Sequence, residues 1–269
     1  MATAPHQYAP GTVSVIERDG QRDWVAVEEP LEIRVSSGDD LDGEPVAVTM
    51  RTPGHDEELA LGFLFGEGLI LAARPVGLTG DLAANTVVVS GPLARELPAR
   101  RFYTTSSCGV CGKGAIEQIA VAVSSPLDPG PLPGGVLARE LLAGLPDRLG
   151  AAQPGFDRTG GLHASGLFSL TGELLCVRED VGRHNALDKV VGWALGEGRV
   201  PLSDALLCVS GRLSFELVQK ALVAGVRVLV GVGAPSSLAV SLAREYDLTL
   251  GGFARRGRLN LYSGETRVR

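Results

Sequence analysis

Lysine is the scarcest of the common charged residues in this chain. Of 25 basic residues only Lys113, Lys189 and Lys220 are lysines, so positive charge is delivered almost wholly by arginine. A basic excess is missing too. The formal net charge is −6, which argues against a general nucleic-acid binder. Four cysteines in 269 residues are too few for a disulfide scaffold. No apolar run spans a membrane: the longest, Ala221–Val240, is interrupted by Arg227, Gly233 and Pro235. The first ten residues lack an apolar segment after a basic start, so no signal peptide is expected. A reduced, cytoplasmic setting without a membrane partner is the expectation. The length allows a substantial core in one large domain or two modest ones.

The first half is read as strand-rich. Thr12–Ile16, Trp24–Val27, Leu31–Val35 and Pro45–Met50 alternate apolar and polar residues between Gly/Asp-rich turns, which predicts a small antiparallel sheet. His55–Phe65 begins acidic and ends apolar, between Pro53-Gly54 and Gly66, and predicts a helix. Thr86–Val89 and Arg101–Thr105 are further strands. Residues 125–135 form a Pro/Gly linker, followed by a helix over Val136–Leu149. Beyond it, the strands His163–Leu170 and Leu174–Val177 pair around Thr171-Gly172. Helix then alternates with strand: helix Asn185–Leu195, strand 205–210, helix 214–224, strand 226–231, helix 236–246 and strand 247–250. The strand Leu259–Tyr262 comes last. The chain is therefore α/β (α+β overall), with a mixed sheet and helices on its faces.

Cys176 and Cys208 lie in apolar runs and read as small core residues. Cys108 and Cys111 differ, because their segment, Thr104–Gly114, is otherwise small, polar or glycine. Glycines 109, 112 and 114 let backbone N–H groups converge, Lys113 adds a charge, and a helix is read to begin near Ala115. All three favour thiolate over thiol. Zinc wants four ligands, and this pair offers two. The zinc deaminase signature needs His-x-Glu and Pro-Cys-x-x-Cys; no His-x-Glu occurs, and Ser107 stands where the proline would. A thioredoxin-like motif follows the first strand of a βαβ unit, and an iron–sulfur cluster wants more cysteines. What remains is a nucleophilic pair able to hold a persulfide or a disulfide.

Three strand-to-helix loops in the second half sit where open α/β sheets bind ligands. Arg178–Lys189 gathers Arg183, His184 and Asn185 beside Gly182, groups suited to phosphate or a purine edge. The same residues also read as a capped helix, with Asp180 accepting backbone N–H bonds and His184 facing Asp188. Ser210-Gly211-Arg212 offers a tight turn and an anion clamp, with Ser214 as a helix cap. Gly233–Ser237 repeats the arrangement with Ser236 and Ser237. Last, Phe253-Ala254-Arg255-Arg256-Gly257-Arg258 reads as a pyrophosphate site with a stacking ring, or as a solvated basic turn.

In order, the blocks Thr52–Gly68, Ser107–Gly112, Glu179–Lys189, Ser210–Arg212, Gly233–Ser237, Gly252–Arg255 and Leu259–Tyr262 resemble the formate dehydrogenase accessory sulfurtransferases, the FdhD family. The resemblance implies a small N-terminal α+β domain, here 1–98, and a larger cytidine deaminase-like three-layer α/β domain, here 99–269, forming a homodimer. It implies that Cys108 carries a persulfide taken from a cysteine desulfurase, with Cys111 as its partner in transfer. The acceptor is the molybdenum (or tungsten) of a bis-molybdopterin guanine dinucleotide cofactor bound for formate dehydrogenase. That cofactor is a bound substrate, and no resident metal is expected. Its site is expected over Phe253, Ala254, Arg255, Arg256, Gly257 and Arg258, with Arg183, His184, Arg212, Ser236 and Ser237 as further contacts. A cofactor-binding chaperone without sulfur chemistry and a nucleotide-dependent redox enzyme are the alternatives.

Overall fold

The computed structural model describes residues 10–36, 42–77, 85–97, 102–104 and 132–269. β1 (Val13–Arg18) and β2 (Gln21–Ala26) form a separate antiparallel hairpin. Its tip, Asp19-Gly20, holds φ of 52° and 74°, as a two-residue I′ turn requires. A five-stranded sheet follows, built from β3 (Glu29–Ser36), β4 (Glu44–Arg51), β5 (Val76–Gly77), β6 (Thr86–Ser90) and β7 (Phe102–Thr104). Its order is β5-β6-β3-β4-β7. The single antiparallel sheet expected over 11–51 is thus two sheets. Within the larger one β3 pairs antiparallel with β4 and β5 with β6, while β6 runs parallel to β3 and β7 parallel to β4.

Helix α1 (Asp56–Gly66) begins with Asp56, Glu57 and Glu58, which suits the positive end of its dipole. From Leu59 onward it is buried on every side, because it lies between the five-stranded sheet and a second layer of helices.

The second layer belongs to a six-stranded mixed sheet. Its strands are β8 (His163–Ser169), β9 (Leu174–Asp180), β10 (Ala205–Val209), β11 (Val228–Gly231), β12 (Thr249–Arg255) and β13 (Arg258–Ser263). The order is β13-β12-β11-β10-β8-β9, with β10, β11 and β12 parallel. Helices α2 (Arg139–Gly150), α3 (Pro154–Thr159), α4 (Arg183–Gly196), α5 (Phe215–Val223) and α6 (Ser237–Glu245) complete the described helices. The central strands are apolar throughout because both faces are covered. On β10, Leu207 and Val209 enter the core beneath α4, α5 and α6, whereas Leu206 and Cys208 enter the one beneath α2. Cys176 and Cys208 are buried as expected. Burial pushes the Cys176 thiol up to about 12 and the Cys208 thiol higher still, so neither is a nucleophile near neutral pH. The short helix α3 has no counterpart in the sequence reading. The Glu179 carboxylate accepts N–H bonds from Gly155 and Phe156 in its first turn, each at 2.8 Å.

Helices α1 and α4 cross so closely that the two sheets share one core. Polar ties reinforce the crossing. Arg178 forks onto Glu58 at 2.5 and 2.7 Å, and the Asn185 amide donates to the Met50 carbonyl at 2.8 Å. Among the described residues, no helix is long and apolar enough to cross a membrane.

Candidate functional site

Three loops leave the carboxyl ends of β10, β11 and β12, and backbone hydrogen bonds join them into one surface. Gly233 N–H donates to Gly211 O, Leu213 N–H to Ala234 O, and Phe253 N–H to Gly233 O, each at 3.0 Å. The loop after β10 is also fastened to β8, since Ser210 and Ala164 exchange bonds of 2.8 and 2.9 Å. Segments far apart in the sequence, 210–214, 232–237 and 252–258, therefore form a single rim.

The outer part of the rim is the β12–β13 hairpin. Arg256 and Gly257 form its tip with φ of 50° and 72°, a two-residue turn that leaves Arg255 opposite Arg258. All three arginines are exposed, and none has a hydrogen-bond or ion-pair partner among the described residues. Facing like charges repel, so this tip is poised for an anion. A register shift precedes it, with Phe253 at φ 51°, a region costly for a bulky side chain. The bulge aims the Phe253 ring outward, where it remains 41% exposed. Ala254 is turned the other way. Its side chain is fully buried in the core beneath α2, so it supports the hairpin and offers no side chain to a ligand.

The inner part is the start of α4. Asp180, fully buried, accepts bonds from Thr52 N (3.1 Å), Gly182 N (2.8 Å) and the Asn185 amide (3.1 Å), and pairs with Lys189 at 2.7 Å. It accepts backbone N–H bonds, as one of the two sequence readings has it, but none from the first turn of α4, whose cap residue is Gly182. His184 does not turn to Asp188. Its Nε2 lies 2.9 Å from Glu216 and 3.2 Å from Ser214 Oγ on the neighbouring helix. Asp188 pairs instead with Lys220, 2.7 Å away, because a carboxylate this deeply buried needs a full cation beside it. The hydrogen bond from His184 holds Glu216 below the ordinary carboxyl value despite burial. Ser214 occupies the cap position of α5, yet its hydroxyl goes to His184 rather than to the helix. Ser236 does cap α6, accepting from Ala239 N at 3.2 Å, and Ser237 is exposed in the first turn.

The sequence model of the FdhD/NarQ family matches residues 26–269. The chain belongs to this family. Similar curated proteins include the "Sulfur carrier protein FdhD" of Nocardia farcinica, 50% identical with 93% of this chain and 89% of the relative covered. That of Mycobacterium tuberculosis is 49% identical with 91% of each covered. The fold resembles a crystal structure described as a putative formate dehydrogenase accessory protein from Desulfotalea psychrophila. The TM-score is 0.71 at 27% identity, covering 96% of this chain and 98% of that one.

In this FdhD/NarQ chain the expected site residues fall into two groups and an omission. Arg183, His184 and Arg212 form the inner group; Ser236, Ser237, Phe253, Arg255, Arg256, Gly257 and Arg258 form the outer. Cys108 and Cys111 lie outside the described residues. One member of the inner group was missed. His163, at the start of β8, stands beside Gly211 and faces Arg183 and Arg212. An isolated histidine at a strand start carries no local signal; only the pairing of β8 with β10 brings it there.

Proposed function

We propose that this chain is a sulfur carrier serving formate dehydrogenase. It takes persulfide sulfur from a cysteine desulfurase onto Cys108 and delivers it to the bis-molybdopterin guanine dinucleotide cofactor, bound as substrate along the rim. The names of the relatives support the carrier role. The observation that carries the reading is where β7 ends. β7 ends at Thr104, which lies opposite Thr49 in the sheet, and Thr49 Oγ1 is 3.2 Å from the Asn185 side chain. Cys108 is four residues further on, so chain length alone keeps it within about 14 Å of Thr104. The nearness of the end of β7 to the start of α4 supports the reading.

The chemistry balances without an external oxidant. The Cys108 thiolate attacks the outer sulfur of the donor's persulfide, and the donor cysteine leaves as thiolate. For release as sulfide, the Cys111 thiolate attacks the inner sulfur of the Cys108 persulfide. That step forms a Cys108–Cys111 disulfide and expels HS⁻; an external dithiol then restores both thiols. The arginines bind the pyrophosphate groups of the substrate, and the Phe253 ring stacks on a guanine.

Intact-protein mass spectrometry after incubation with a cysteine desulfurase and cysteine tests this. Wild type and Cys111→Ala are expected to gain one sulfur atom that reductant removes, and Cys108→Ala to gain none. Unmodified wild type beside a demonstrably active desulfurase would instead support a cofactor-binding chaperone.

A further inference from the structure

Three groups able to carry positive charge converge on Gly211, none with an ion pair of its own among the described residues. A Cβ placed on Gly211 would lie 3.5 Å from His163 Nδ1 and 3.8 Å from Arg183 Cδ, so ring and guanidinium stem line one niche. Arg212 follows directly in the chain and is exposed. Arg183 Nε is buried without a hydrogen-bond partner, and neither His163 nor Arg212 has a partner among the described residues. The nearby carboxylates are already engaged. Asp180 pairs with Lys189, Glu216 with His184, and Glu179 caps α3. Grouping such side chains with no ion-pair partner among the described residues costs free energy, and a bound anion would offset it.

We propose that His163, Arg183 and Arg212 form a subsite for a phosphate group around Gly211. It rests on the reading of a phosphate-bearing substrate and adds His163 to it as the proton-linked member. In the free protein, burial and then Arg183 and His184, with a smaller contribution from Arg212, hold the imidazole below its ordinary value against the opposing Asp180 carboxylate. It is therefore neutral near pH 7. A bound anion reverses the local field, so binding takes up a proton. Affinity then rises as pH falls, by up to about tenfold per unit between the free and bound midpoints.

The test follows the His163 ring protons by NMR in the full chain, assigned with His163→Gln. The probe is inorganic sulfate, a tetrahedral dianion whose charge is constant where imidazole titrates. Saturating sulfate, against chloride at equal ionic strength, is expected to raise the His163 midpoint by about 1 unit or more. Arg183→Gln and Arg212→Gln are each expected to reduce that shift. Gly211→Ala leaves ordinary contact distances around the new methyl, so it is expected to keep its melting temperature while sulfate binding weakens. An identical midpoint in sulfate and chloride, or wild-type sulfate binding by Gly211→Ala, overturns the proposal. A midpoint moved by sulfate in a protein that does not bind the guanine dinucleotide cofactor keeps the subsite and removes the substrate reading. Cofactor binding that leaves the midpoint in place does the reverse.

Discussion

Replacing Gly192 with alanine tests how the two halves of the protein are joined. Helices α1 and α4 run antiparallel at their crossing. A Cβ on Gly192 would lie 1.8 Å from the Glu58 carbonyl oxygen, and one on Gly62 1.9 Å from that of Asp188. Both obstacles are backbone, so no rotamer change relieves them. To reach ordinary contact near 3.4 Å the helices must part by about 1.6 Å, and a gap of even 1 Å forfeits up to about half of a contact's attraction. Fully buried Leu59, Leu64, Leu187 and Val190 flank the crossing. The expected cost is about 3 kcal/mol, the upper end for overpacking. That corresponds to a fall of about 6–12 °C in melting temperature at this size. Gly144 in α2 has open space around it, so Gly144→Ala is the control and is expected to stabilise by about 0.5–1 kcal/mol. Because one displacement accommodates both methyls, Gly62→Ala with Gly192→Ala should cost clearly less than the two singles together. Calorimetry on the four variants decides the matter. A Gly192→Ala melt within 2 °C of wild type, or full additivity in the pair, would refute the close-crossing argument.

Three further outcomes are expected. Asp180→Ala strands Lys189, 1% exposed, without its partner; urea unfolding should show a loss of about 3–5 kcal/mol, partly recovered by adding Lys189→Met. Glu216 is held below the ordinary carboxyl value of 4.5 by its hydrogen bond from His184, so its stabilisation is complete above that value and lost as pH falls through the lower folded one. Glu216→Gln should flatten that part of the acid loss when urea midpoints are compared above and below the ordinary value. Arg256→Gly relieves a left-handed arginine at the hairpin tip and should raise stability by about 1 kcal/mol in thermal melts, while equilibrium binding of the guanine dinucleotide cofactor weakens.

Local pattern sufficed for what depends on neighbours in the chain. The alternation in β3 and β4, the acidic start of α1, the turn at Thr171-Gly172 and the strand–helix rhythm after residue 163 all set local conformation, and the elements form there. The apolar runs around Cys176 and Cys208 likewise foretold burial. The partners of β6 and β7 were not legible, because these strands join β3 and β4 through parallel pairings whose register no turn specifies. The bulge at Phe253, which turns Ala254 inward, follows from the packing of β12 against β13 and α2 rather than from the tripeptide. His184 looked equally able to face Asp188 or a ligand. Burial decided, since Asp188 took Lys220 from another helix and His184 took Glu216. The sequence by itself determined which residue types were available and where the chain would turn. Tertiary structure alone decided which cations stand together without a partner among the described residues, because that depends on which distant carboxylates reach them first.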